Sequence, residues 1–256
     1  MKKIYHIAKF TFIENFKNKN FLILFIYMGI VLGSGVLFSM LSPQQEIRVI
    51  LDLGLAAIEM FVFLSCTFIA VRLILQEMDQ KTVYLILSRP VTRTQYLLGR
   101  FTGIISIMLT YITVMGLILV GMLFLKGWSW QLYYPLILIY IFFKIIIVGS
   151  FSVLLSLVST SAASSFVSIF FLWTLGHFAQ ELQYINHLLK EAGIQMTFLL
   201  RALYYIIPNF YLLNYKDFFH VSPPSLKDLL FSGGYTLLYS GIIIILSSII
   251  FSKKEL

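Results

Sequence analysis

Residues 133–158 read YYPLILIYIFFKIIIVGSFSVLLSLV, and the stretch carries one charge, Lys144. A hydrocarbon core about 30 Å thick takes roughly 20 apolar residues of helix, so this segment is long enough to cross it. Its apolar residues run on without alternating, which points to a helix and not to a barrel strand. Outward from it, hydropathy predicts further spans at 21–41, 51–74, 96–125, 164–181 and 231–251. With 59% of 256 residues apolar and 12% charged, the chain has more apolar surface than one soluble core could hide. The expected fold class is therefore an all-α integral membrane protein with six transmembrane helices, read as a single domain over residues 1–256.

The net charge is +8, yet the Lys and Arg residues sit between apolar runs and do not cluster on one soluble surface, which argues against nucleic acid as a partner. Membrane topology accounts for them better. Six spans place both termini on one side, and that side collects twelve of the nineteen Lys and Arg residues, against six opposite and Lys144 within a span. The positive-inside rule makes the termini cytoplasmic. Four of the six opposing cations lie in one long segment, 182–230, whose apolar part Phe198 to Leu213 contains Arg201 and Pro208. That part is too short for a seventh span and reads as an interfacial or re-entrant helix on the external side. A seventh span would also carry Lys253 and Lys254 outside.

Residues 1–20 hold five lysines and no cleavage-site pattern follows the first apolar run, so an uncleaved first span is expected. Tyr5, Ala8, Phe12 and Phe16 fall along one helical stripe, which suits an amphipathic helix on the cytoplasmic membrane surface as well as a solvated leader. The single cysteine, Cys66, lies in an apolar run and offers no disulfide within the chain.

The polar stretch between the second and third spans, QEMDQKTVYLILSRPVTRTQYLLGR over residues 76–100, carries the functional signal. Glu77, Asp79 and Lys81 open it, Val83 to Leu87 form an apolar patch, and Pro90 stops it. A short helix with a charged start and a rigid end suits docking into a groove of another protein, and a loop with an apolar anchor fits the same residues.

This stretch resembles the first cytoplasmic loop of ABC type-2 (exporter-type) permeases in Glu77, Thr82, Leu85 to Leu87, Pro90, Arg93 and the entry Leu97-Leu98-Gly99-Arg100, with Lys81 standing where the family often has Gly. The leader, the six spans, the external segment 182–230 with Pro208, Asn209 and Asn214, and the Lys-Lys-Glu-Leu tail follow the same order. The resemblance implies a permease subunit whose coupling loop, 76–95, sits in a cleft of a separate cytoplasmic ABC ATPase. It implies export driven by ATP hydrolysed in that partner, and pairing with a second permease as homodimer or heterodimer. Glu77, Asp79, Lys81, Thr82, Arg89, Pro90 and Arg93 are the residues it assigns to ATPase coupling. No Gly-Lys pair occurs in the chain, so a P-loop is excluded, and ATP and magnesium belong to the partner, with no cofactor expected here. The expected location is the cell membrane, in a bacterium the inner membrane, with lipid as surroundings.

Two intramembrane charges stand out. By 1.5 Å per residue, Glu59 lies about 12 Å and Lys144 about 16 Å from the outer surface, so the two can pair if their spans touch. Such a pair serves as a structural lock or as part of a substrate path, and the lock is the plainer reading. His177 and Glu181 share a helical face, but only distant His187 and His220 could complete a metal site, so none is expected. Gly29 with Gly33 and Gly99 with Gly103 allow close helix approach, within one subunit or at a dimer seam. Trp128, Trp130, Tyr133 and Tyr134 read as an external aromatic belt, and Ser159 to Ser165 as a cytoplasmic turn. His-Glu-x-x-His and Gly-x-Ser-x-Gly are both missing, which weighs against the rival classes of intramembrane or lipid-modifying enzyme. A secondary transporter would show inverted halves with broken helices, and no such symmetry is visible.

Overall fold

A computed structural model describes residues 2–17, 22–41, 46–80, 91–131, 133–179, 181, 184–185, 188, 204, 206–214 and 225–254. Its helices are α1 (Lys2–Lys17), α2 (Leu22–Leu41), α3 (Glu46–Asp79), α4 (Arg93–Leu125), α5 (Tyr133–Val158), α6 (Ala162–His177) and α7 (Leu226–Lys253), with a 3-10 helix at Phe210–Leu213. No strand occurs among the described residues.

Local chemistry sets the helix ends. Thr92 and Gln95 form a reciprocal capping box at the start of α4, and Ser225 and Asp228 form another at the start of α7. Ser161 accepts from the Ser164 amide and starts α6. At its far end α4 closes with Gly127 at φ +82, the Trp128 amide reaching the Leu123 carbonyl and the Gly127 amide that of Phe124. This is a Schellman closure, which needs a left-handed residue and so favours glycine. Trp128 folds back against Phe124 and, with Trp130 and Tyr134, makes one aromatic cluster at that end of the bundle.

Four helices, α3, α4, α5 and α7, are long and apolar enough to cross a membrane. They carry the spans expected at 51–74, 96–125, 133–158 and 231–251. The spans expected at 21–41 and 164–181 fall on α2 and α6, which belong to a shorter class over their described apolar parts. With 16 residues, α6 rises only about 24 Å. By contrast α3 has 34 residues and α4 has 33, about 50 Å each, so both outreach the hydrocarbon core.

That extra length bears on the expected coupling loop. Gln76 to Asp79 are still α3, and Arg93 to Gln95 are already α4. Residues 81–90, with Lys81, Thr82, Arg89 and Pro90, lie outside the described residues. Likewise, much of 182–230 lies outside them; its described part holds the 3-10 helix, and α7 starts five residues before the expected 231 because Ser225 caps it.

Helix α3 is the hub, packed against α2, α4, α5 and α6, while α7 lies on α5 and α1 lies along α4. The docking of α1 departs from the aromatic stripe. Thr11 and Asn15 are buried, whereas Tyr5 and Phe16 are exposed. Glycine explains the difference: a Cβ on Gly99 would stand 2.6 Å from Ile7 Cβ, and one on Gly103 would stand 2.7 Å from Thr11 Cβ. The two glycines bring α1 in at near-backbone contact, with the β-branched Ile7 over Gly99 and Thr11 over Gly103. Thr11 and Asn15 satisfy themselves by donating to the carbonyls of Ile7 and Thr11, each at 3.0 Å. Gly29 and Gly33 differ, having no neighbour within 4 Å among the described residues.

Candidate functional site

Mid-bundle, α3 supplies Glu59, α5 supplies Lys144 and α6 supplies His177. Glu59 is 6% exposed and Lys144 3%. The Lys144 Nζ donates to Glu59 Oε1 at 2.9 Å, and His177 Nε2 stands 3.3 Å from the same oxygen. His177 Nδ1 faces the Trp173 carbonyl at 2.9 Å, an oxygen that can only accept, so that nitrogen carries a hydrogen. One carboxylate thus gathers three helices. Charges this deep demand partners, because an isolated ion in hydrocarbon is expensive.

The imidazole also touches the outer segment. His177 packs against the Trp173 ring at 4.4 Å and the Phe210 ring at 5.2 Å. Gly176 lets this happen, since a Cβ there would meet the Phe210 ring at 2.5 Å and the Pro208 carbonyl at 2.9 Å. The Asn209 amide donates to the Tyr235 hydroxyl at 2.9 Å, Tyr239 donates to the Ile206 carbonyl, and Ser232 donates to that of Leu212. Residues 206–213 are therefore stapled between α6 and α7, directly over the ionic cluster.

The second cluster lies at the opposite end, at the base of the 76–100 stretch. Arg100, 2% exposed, donates through Nη2 to Glu77 Oε1 and through Nη1 to Thr11 Oγ1 at 2.9 Å and Glu14 Oε2 at 3.4 Å. The Tyr96 hydroxyl donates to the other Glu77 oxygen. The guanidinium also lies over the rings of Phe10 and Tyr96, each at 5.7 Å. One arginine thus joins α1 to both arms of the stretch, the end of α3 and the start of α4.

Two further cations finish this end. Arg93 Nη1 reaches the carbonyls of Phe251 at 2.7 Å and of Ser252 and Lys254 at 3.0 Å, closing the C-terminus of α7. Lys254 Nζ donates to the Leu157 carbonyl at 2.7 Å and closes α5. Cations at these positions satisfy orphan carbonyls and complement the negative end of the helix dipole. Thr94 and Ser248 share a hydrogen bond of 2.9 Å beside them.

Of the residues read from the sequence, the structure brings Glu59 and Lys144 together and turns Glu77 and Arg93 inward, onto Arg100 with Tyr96 and onto the end of α7. Asp79 is the last residue of α3, and its side chain lies outside the described residues. Asp52 is exposed on α3. His177 is turned onto Glu59, and Glu181 is exposed. Among the described residues no group of three or more potential ligands is placed to hold a metal, and His187 and His220 lie outside them. Sequence reasoning missed His177 as a partner of Glu59 and Arg100 as the centre of the second cluster. The signal for Arg100 was present: it and Glu77 are opposite charges at the two ends of one short stretch.

Comparison with known proteins bears on both clusters. No curated protein matches the sequence. The sequence model described as ABC-2 family transporter protein matches residues 10–256, a span that takes in both clusters, the four long helices and the outer segment. Long apolar helices, joined by a stretch whose two arms meet at a buried arginine, are thus the membrane part of a multi-pass protein, and the chain belongs to the ABC-2 family of transporter proteins.

Proposed function

We propose that this chain is the permease subunit of an ATP-binding-cassette exporter, acting as one unit over residues 1–256 with six spans and both termini cytoplasmic, in the cell membrane of a bacterium. A separate cytoplasmic ATPase binds ATP and magnesium, and a second permease, identical or paralogous, completes the pathway. In this reading α2 and α6 are the two remaining spans. Asp79, Lys81, Thr82, Arg89 and Pro90 meet the ATPase, while Glu77 and Arg93 hold the base of the loop to the bundle.

The observation that carries this reading is the Arg100 cluster. A loop pushed by an ATPase moves spans only if its base is fixed to them. Arg100 ties both arms to one another and to α1, and Arg93 ties the same base to α7. Charge-assisted hydrogen bonds of this kind are about twice as strong as neutral ones, which suits a joint that bears load. An enzyme reading finds less support, because Lys144 Nζ and His177 Nε2 both face Glu59 and His177 Nδ1 faces the Trp173 carbonyl.

The test is co-purification of the full chain with its partner ABC ATPase. Deleting residues 81–90 is expected to abolish co-purification while membrane insertion and the thermal transition of the chain persist. Retention of the ATPase by the deletion variant would overturn the reading.

A further inference from the structure

A cavity of about 530 Å³ opens between the last turns of α3 and the start of α6, in the size range of small-ligand pockets, about 300–1,000 Å³. One wall is Phe68, Val71, Arg72, Leu75 and Gln76 of α3 with Gln80 just past its end, and Phe68, Arg72 and Gln76, spaced by four, share one helix face. Glu77 points away, to Arg100. The cavity is graded along the helix. Phe68 stacks on Phe166 of α6 with centroids 4.7 Å apart and forms an apolar floor. Above it stand Arg72, then Gln76, then Gln80, rising by about 6 Å per step toward the loop end of α3.

Charge runs one way in this cavity. Among the described residues no Asp or Glu lines it. Gln76 Oε1 accepts from Arg72 Nε at 3.3 Å, which orients the guanidinium and leaves Nη1 and Nη2 without another partner among the described residues. A fork of two N–H donors over an apolar floor is complementary to a phosphate that carries acyl chains. Opposite Arg72, Ser161, Ala162 and Ala163 form the far wall, so the positive end of α6 adds to the same field.

We infer that this cavity, between Arg72 of α3 and the start of α6, binds the headgroup of an anionic phospholipid from the adjoining leaflet. That leaflet is the cytoplasmic one in the orientation proposed above. Basic pockets between spanning helices on that side are built for such headgroups. The phosphate takes Nη1 and Nη2 of Arg72, and the upper acyl chains lie on Phe68 and Phe166. The lipid then bridges α3 and α6, which also carry Glu59 and His177.

The full chain with Phe166→Trp, compared with the unmodified chain, reports occupancy by tryptophan quenching in phosphatidylcholine vesicles. The quencher is brominated phosphatidylglycerol or brominated phosphatidylcholine at equal fraction. Quenching by the anionic lipid is expected to win by about fivefold, the effect of one Arg near an anionic surface. Arg72→Gln should remove the preference, and Ala163→Leu should reduce quenching by both lipids. Native mass spectrometry of the otherwise unmodified chain, with and without Arg72→Gln, gives a second reading by retained phosphatidylglycerol and does not depend on the added tryptophan. Equal quenching by the two lipids, a preference that survives Arg72→Gln, or exclusion of both lipids with cross-linking of two copies through Ala163→Cys would overturn the inference. None of these readouts involves the ATPase, so this site and the permease reading fail separately.

Discussion

Glu59 and Glu77 lie on the same helix, eighteen residues and so five turns apart, on one face of α3. Each meets a cation from another helix, yet the surroundings differ. Lys144 comes to Glu59 from the middle of α5, with both side chains almost wholly out of water. Arg100 comes to Glu77 near the start of α4 and shares its charge with Glu14, whose side chain is 40% exposed. The deep pair has no wet alternative, so it resists separation. The rim cluster has water at its edge and several acceptors for one guanidinium, so its members can exchange partners while contact persists. We read the first as a lock and the second as the joint on which the loop works.

The sharpest way to break this comparison is to remove one partner from each end. Lys144→Met leaves a carboxylate buried without its main cation and should cost about 3–5 kcal/mol, seen as a large fall in the thermal midpoint of the full chain in micelles. Removing both, as Glu59→Leu with Lys144→Met, should recover most of that loss. Arg100→Met should cost less, about 2–3 kcal/mol, because Glu77 can turn toward water. Equal losses at the two ends would erase the distinction.

Smaller effects sharpen it. Gly99→Ala forces α1 off α4 and should cost about 1–3 kcal/mol, whereas Gly29→Ala, with no neighbour within 4 Å among the described residues, should stay within about 0.5 kcal/mol; paired thermal scans of the two variants check this. His177→Phe keeps the ring contacts with Trp173 and Phe210 and loses two polar contacts, at 3.3 Å to Glu59 and at 2.9 Å to the Trp173 carbonyl, so a loss of about 1–2 kcal/mol is expected from the same scans.

Those magnitudes also explain what could be read in the sequence. The long helices α3, α4, α5 and α7 were legible because lipid demands continuous apolar runs, and Glu59 and Lys144 stood out because charge at that depth is rare. The docking of α1 was not. Hydrophobic periodicity points to Tyr5, Ala8, Phe12 and Phe16, of which Phe12 packs on the core while Tyr5 and Phe16 are exposed, and the side chains set against the two glycines are Ile7 and Thr11, where close approach decides the contact. His177 was matched to Glu181 by its i+4 spacing along the chain, while its actual neighbour, Glu59, is 118 positions away. Periodicity reports one helix at a time, and partners across helices depend on which faces meet. The Glu77 side chain illustrates the same limit, since an acidic residue opening a polar stretch reads as outward until the arginine at the other arm is seen beside it.

Whether the rim cluster is the joint can be measured with spin labels on exposed outer positions of α4 and α7, Leu117→Cys and Leu237→Cys, in the complex with the partner ATPase. Cys66 is buried and stays unlabelled. The expected result is a shift in the label-to-label distance on adding ATP with vanadate, and loss of that shift when Glu77→Gln and Arg100→Met are combined, with the ATPase still bound. A shift that persists undiminished in the doubly substituted chain would contradict the assignment of Arg100 as the joint between loop and spans.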